Sequence, residues 1–202
     1  YEPADDDRPL AGRVASAVRR VLASSDDHGD LLVFLPGAAE IRRAAEALEV
    51  LAAEHNLAVV PLHGDLPLDA QQRAIRRGER RKVVLSTNVA ETALTIDGVT
   101  AVIDSGVARI ARFDAKHGIN ALRVAPISRA AAEQRAGRAG RTAPGRCLRL
   151  WTSANHLHRV AAVLAQYSDC LLRRHRRAHD LVGACQHQAL EPLEPALLAV
   201  GS

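Results

Sequence analysis

Methionine is absent from all 202 residues, position 1 included, and the only aromatics are Tyr1, Phe34, Phe113, Trp151 and Tyr167. So few rings disfavour a nucleic-acid module that stacks bases on an aromatic platform. Three cysteines, Cys147, Cys170 and Cys185, are too few and too unevenly spaced for a disulfide framework or a Cys-x-x-Cys metal site. They fit a reducing, cytoplasmic compartment. No apolar run reaches the roughly 18 residues of a membrane span, and the start YEPADDDRPL is acidic where a signal peptide would be basic. A soluble chain without a membrane partner is expected. Only Lys82 and Lys116 are lysine, and neither is followed by Ser or Thr, so the Gly-x-x-x-x-Gly-Lys-Ser/Thr loop that cradles a triphosphate is absent. There is also no acidic strand-end cluster of the kind that holds magnesium. The segment is therefore expected to be unable to hydrolyse a nucleotide alone. The missing methionine suggests a piece of a longer reading frame.

What is present is an aliphatic core and arginine. A hydrophobic content of 48% can furnish a core for one domain or two small ones. Lys plus Arg exceed Asp plus Glu by 27 to 23, and all but two of those cations are arginine, whose rigid fork grips phosphate at two points. A GC-rich genome produces the same bias, so composition alone decides nothing.

Residues 1–9, rich in Pro and Asp, read as a linker. From Leu10 to Ala23 apolar residues recur at helical spacing. LLVFL (31–35) is a continuous apolar run bounded by Gly29 and Pro36-Gly37, hence a strand covered on both faces. The alternation continues with a helix over 38–55, strands at 57–62, 82–86 and 100–105, a short helix at 69–78 and a helical turn at 89–94. This rhythm predicts an α/β fold, a parallel sheet wrapped by helices on both faces. ALRVA (121–125) and CLRLW (147–151) supply two later strands, and between them a helix starts after Ser128 as N-cap. Residues 10–152 form one domain on this reading, and 153–202 a short, mainly helical tail. His175 and His179 stand four apart there, but no Glu occupies the metalloprotease position, so no metal site is assigned.

In parallel sheets ligands bind beyond the carboxyl ends of the strands. Four loops there stand out. Pro36-Gly37-Ala38 breaks a strand and starts a helix at once, aiming backbone N–H groups at an anion, although it is equally an ordinary strand-to-helix turn. His63-Gly64 at a strand end could touch a backbone phosphate or be a plain surface loop. Asn88 and Glu91 form a capping-box-like pattern. That pattern does not require the hydroxyls of Ser86 and Thr87, which stand where a phosphate at a helix N-terminus would be gripped. The fourth is Gln134-Arg135-Ala136-Gly137-Arg138-Ala139-Gly140-Arg141. Glycines in a helix-like run cost about 1 kcal/mol each relative to alanine, and a merely solvated basic face would not need them. Gly137 there lets the backbone approach a neighbour or ligand while arginines reach forward. A generic basic helix is the competing reading.

Taken in order, these loops resemble the second RecA-like lobe of superfamily 2 helicases of the DEAH/RHA group. LLVFLPGAAEI resembles motif IV, STNVAETALTIDGV motif V and QRAGRAGR motif VI, while VIDSGVARIARFD (102–114) points to a bacterial member. The resemblance covers roughly residues 10–152 and implies a RecA-like, P-loop NTPase-type sheet without its own Walker A loop. It implies that ATP with Mg2+ sits between two lobes, held mainly by a first lobe outside this chain, with RNA or other single-stranded nucleic acid crossing both. By that likeness Arg138 and Arg141 are the arginine fingers, and Gln134 orients the attacking water. Asp97 meets the nucleotide, Thr87 holds a nucleic-acid phosphate, and Gly37, His63 and Arg109 belong to the same track. The alternative is a non-catalytic nucleic-acid-binding or regulatory module derived from such a lobe. A Gly-Lys-Thr loop and an Asp-Glu-x-His motif within about 200 upstream residues would separate the two.

Overall fold

A computed structural model describes residues 1–24, 28–92, 96–114, 119–139, 141 and 144–161. These belong to one compact unit, Tyr1–Val163. The tail expected beyond residue 161, with His175, His179, Cys170 and Cys185, lies outside the described residues.

The apolar runs become β1 (Asp30–Phe34), β2 (Ala58–Leu62), β3 (Lys82–Ser86), β4 (Val99–Asp104) and β7 (Arg146–Arg149). They form one sheet in the order β2-β3-β1-β4-β7, every neighbouring pair parallel. Because successive side chains point to opposite faces, the apolar runs serve two cores at once. Leu31, Val33, Val83, Leu85, Ala101 and Ile103 pack on one face against Val14, Val18 and Val21 of α1 (Leu10–Leu22) and Ile41, Leu48 and Leu51 of α2 (Ala38–Glu54). Leu32, Phe34, Leu62, Val84 and Val102 pack on the other, against Ala74 of α3 (Leu68–Ile75) and Ala90 of α4 (Val89–Thr92). The expected parallel sheet with helices on both faces is present. Among the described residues no helix is long and apolar enough to cross a membrane.

One lysine is structural. Lys82 is 3% exposed, with Nζ donating to the carbonyls of Ala74 (2.9 Å) and Arg76 (2.5 Å) while Asp30 Oδ2 lies 3.7 Å away. A buried ammonium is tolerated because two carbonyls accept from it and a carboxylate balances its charge.

The two later strands part company. CLRLW supplies β7 and joins the sheet, whereas ALRVA lies in β6 (Ile119–Pro126), which pairs antiparallel with β5 (Val107–Asp114) in a separate two-stranded sheet. The reason is connection length: a parallel partner needs a crossover of a dozen or more residues, and only 115–118 separate β5 from β6. After β6, Ser128 caps α5 (Arg129–Ala136), its side chain accepting from the Ala131 N–H at 3.1 Å. Thr152 caps α6 (Ser153–Leu157) in the same way. Residues 1–9 are fastened to this body: Glu2 N–H donates to the Trp151 carbonyl (3.1 Å), Glu2 pairs with Arg20 (2.8 Å), and Asn155 Nδ2 donates to Asp5 (2.8 Å).

Candidate functional site

Parallel strands deliver the loops that follow them to one edge of the sheet. Here the hydrogen bonding continues past the strand ends: Leu35 N–H donates to Ser86 O (2.8 Å), Thr87 N–H to Leu62 O (3.2 Å) and Ser105 N–H to Phe34 O (3.2 Å). Gly37, His63, Ser86 and Thr87 therefore start along one edge in fixed register. Ser86 is fully buried and its hydroxyl donates to the Thr87 carbonyl at 2.9 Å, so the half-buried Thr87 is the more accessible of the two. His63 Nδ1 stands 3.7 Å from Asp65 Oδ2.

Gly37 and Arg109 meet. A Cβ on Gly37 would fall 2.8 Å from Arg109 Nε and 3.1 Å from Glu40 Oε2, so a side chain there would push the guanidinium off the start of α2. Arg109 Nη2 is 3.9 Å from Glu40 Oε2 and the side chain is half exposed. The hairpin thus lends a cation to the strand-end edge.

The arginine-glycine run behaves differently from a continuous helix. α5 ends at Ala136, and Gly137 is its exposed C-cap in right-handed conformation (φ −62°). The expected helix-interior penalty for Gly137 therefore does not arise. Its nearest protein atom to an added Cβ is Glu133 O at 3.4 Å, so no other element presses on it and the backbone there faces solvent. Gly140 lies outside the described residues.

The three described arginines after Gln134 have three fates. Gln134 itself is exposed on α5. Arg135 is fully buried: Nε donates to Glu91 Oε1 (2.6 Å), Nη1 to Asp104 Oδ1 (2.8 Å), and the guanidinium lies 4.7 Å over the Phe34 ring. Spacing alone assigns Arg135 no role and makes Glu91 half of a capping-box-like pattern; in the structure the Glu91 carboxylate takes Arg135. Arg138 is 9% exposed, and its Nη2 donates to the backbone carbonyl of Glu91. Burial, then the neighbouring Arg141 charge, lower its pKa, with Glu91 opposing. Two guanidinium groups that repel each other make a place where an anion is stabilised. Arg138 and exposed Arg141 line a shallow depression with Leu32, Ala90, Ile96 and Val99. Asp97 is exposed beside Ile96, in a turn that Gly98 completes at φ +84°. Arg138 and Arg141 thus share one depression, and Asp97 follows Ile96 of its lining in the chain.

Residues 13–143 match the family model described as the helicase conserved C-terminal domain. The chain belongs to this family, in its DEAH/RHA branch. Within that helicase family it is 41% identical over 159 residues to the ATP-dependent RNA helicase HrpA of Escherichia coli strain K12, covering 78% of this chain and 12% of that protein. It is 39% identical over 160 residues to the chloroplastic ATP-dependent RNA helicase DEAH12 of Arabidopsis thaliana, covering 75% and 9%. The crystal structure of the E. coli DExH-box NTPase HrpB superposes with a TM-score of 0.72 at 39% identity, over 80% of this chain and 20% of that one. HrpB is the bacterial member to which VIDSGVARIARFD points. The chain spans about a tenth of the length of these curated relatives. The match takes in every candidate site residue of this helicase C-terminal lobe, from Gly37 to Arg141.

Proposed function

We propose that this chain is the second motor lobe of an ATP-dependent RNA helicase, with residues 10–152 as the RecA-like unit. It supplies Arg138 and Arg141 to an ATP site completed by a first lobe, and a phosphate grip on single-stranded nucleic acid. The observation that carries this reading is the pairing of Arg138 and Arg141 on one depression, directly after the exposed backbone of Gly137 in the chain. That donor set suits a terminal phosphate. ATP with Mg2+ supplies the bond to be broken, and both are held mainly by the first lobe. On this chain the two guanidinium groups would spread the charge that develops on the transferred group, Gln134 would orient the attacking water, and Asp97 would meet the nucleotide. Thr87, with Ser86 beneath it, Gly37, His63 and Arg109 line the strand-end edge as the nucleic-acid track.

Motion follows from the same arrangement. Arginines that favour the nucleotide-bound state draw the lobes together, and their release after hydrolysis lets the two phosphate grips shift along the strand. Contacts to phosphate imply little sequence preference and a steep dependence on salt. A cytoplasmic location goes with this reading. The test is Arg141→Ala in the complete protein: turnover of ATP falls by about 10³-fold, while nucleotide binding, read by fluorescent-nucleotide titration, is largely kept. Undiminished turnover removes the finger assignment.

A further inference from the structure

Glu91 occupies an unusual position between the two halves of the candidate site. Its carboxylate accepts Arg135 Nε at 2.6 Å, and its backbone carbonyl accepts Arg138 Nη2. Arg135 and Arg138 are joined in turn by a backbone hydrogen bond from Arg138 N to Arg135 O (3.1 Å). The three residues close a ring. Asp104 Oδ1 and the Phe34 ring hold the far side of Arg135, so the ring is anchored to the ends of β1 and β4. On the near side Glu91 belongs to α4, whose first turn is bonded to the candidate phosphate loop: Ala90 N–H donates to Thr87 O (3.4 Å) and Glu91 N–H to Asn88 O (2.9 Å).

A long arginine side chain has several rotamers of similar energy, and a charge-stabilising finger works only in the one that meets the transferring group. We propose that Glu91 is a positioning residue: clamped by Arg135, it fixes the carbonyl that selects the Arg138 rotamer. Glu91 touches no nucleotide in this scheme; it acts through Arg138. The proposal rests on the finger reading of Arg138 given above. What the clamp requires is the length of the Glu91 side chain and an acceptor oxygen at its end. Its charge is dispensable, because Asp104 still faces Arg135.

The test compares Glu91→Ala, Glu91→Asp and Glu91→Gln with Arg138→Ala in the complete protein, reading kcat and KM for ATP at saturating single-stranded RNA. In the Ala and Asp variants kcat falls by about 10- to 10²-fold, as expected for a misplaced catalytic group, with KM changed less than about twofold. Glu91→Gln, which keeps length and acceptor, restores most of kcat. Equal losses in Gln and Ala, a loss carried by KM, or an unchanged kcat in all three overturns the proposal. If Glu91→Ala does not fold, the contrast of Asp with Gln decides it alone. Normal turnover in Arg138→Ala would show instead that the finger reading itself is wrong, whereas loss in Arg138→Ala with none at Glu91 removes only the positioning role.

Discussion

Replacing Arg135 by methionine keeps a long, flexible side chain in place but withdraws the guanidinium that donates to Asp104 at 2.8 Å. Both side chains of that pair are fully buried, and Glu91, the second acid, is 16% exposed. After the change Asp104 keeps the Gly106 N–H at 2.8 Å on Oδ1 and the more distant charge of Arg159, but loses the guanidinium in contact with it. Leaving one buried charge without its partner costs about 3–5 kcal/mol, and Asp104 is the more costly of the two acids because water cannot reach it. A lobe of this size shifts its Tm by about 2–4 °C per kcal/mol, so the melting point should fall by roughly 6–20 °C. Urea unfolding can be followed through Trp151, the sole tryptophan, which is 5% exposed and lies 4.2 Å from the Arg159 guanidinium. Adding Asp104→Asn to Arg135→Met removes the stranded charge and should recover about 1–3 kcal/mol, a coupling typical of contacting residues. A loss below about 1 kcal/mol in the single variant, or a further loss in the double, would refute the argument that Arg135 is present to neutralise buried acids.

Much of the fold was legible because apolar strands buried on both faces leave an unambiguous trace: β1 is apolar after its first residue, and β3 between Lys82 and Ser86. Of the hairpin only ALRVA in β6 was, because VARIARFD in β5 places Arg109 and Arg112 among apolar residues and offers no continuous run. Its two arginines stand three apart and so fall on opposite faces of a strand, which leaves neither a continuous apolar run nor a clean alternation to read. The site divided in the same way. Arginines at 135, 138 and 141 are indistinguishable by spacing, yet the first is interior. What separates it are Asp104, 31 residues away, and Glu91, 44 away, whose approach exists only once β4 and α4 have packed beside α5. Glu91 misled for a related reason: three residues after Asn88 it satisfies a local pattern, and a long-range ion pair with a buried arginine outweighs a local cap. Local rules fail where a tertiary contact of several kcal/mol competes with a preference of about one.

Two further predictions concern glycines, one beside the site and one remote from it. Gly145→Ala would bring a Cβ within 1.9 Å of Ala139 O and 2.4 Å of its carbonyl carbon, so the main chain beside Arg138 must move; ATP turnover of the complete protein should fall by up to about 10²-fold. Gly12→Ala, on α1 with nothing within 4 Å, should instead raise stability by about 0.5–1 kcal/mol and leave turnover unchanged. Cys147 gives a pH signature. Burial, with the Asp104 charge adding to it, pushes its thiol from 9.0 up to about 11. The folded state therefore keeps a proton that the unfolded chain releases. Stability from this group is intact below about pH 9 and drains away as pH rises toward 11, by about 2–3 kcal/mol in total at 1.36 kcal/mol per unit. Because other groups titrate in the same range, the measurement is the difference between wild type and Cys147→Ala in urea unfolding at several pH values. The cavity left by the substitution is a constant offset, so the two stability curves should converge, or cross, between pH 9 and 11. Curves that stay parallel would mean that Cys147 titrates alike in the folded and unfolded chain, and that β7 does not shield it from water.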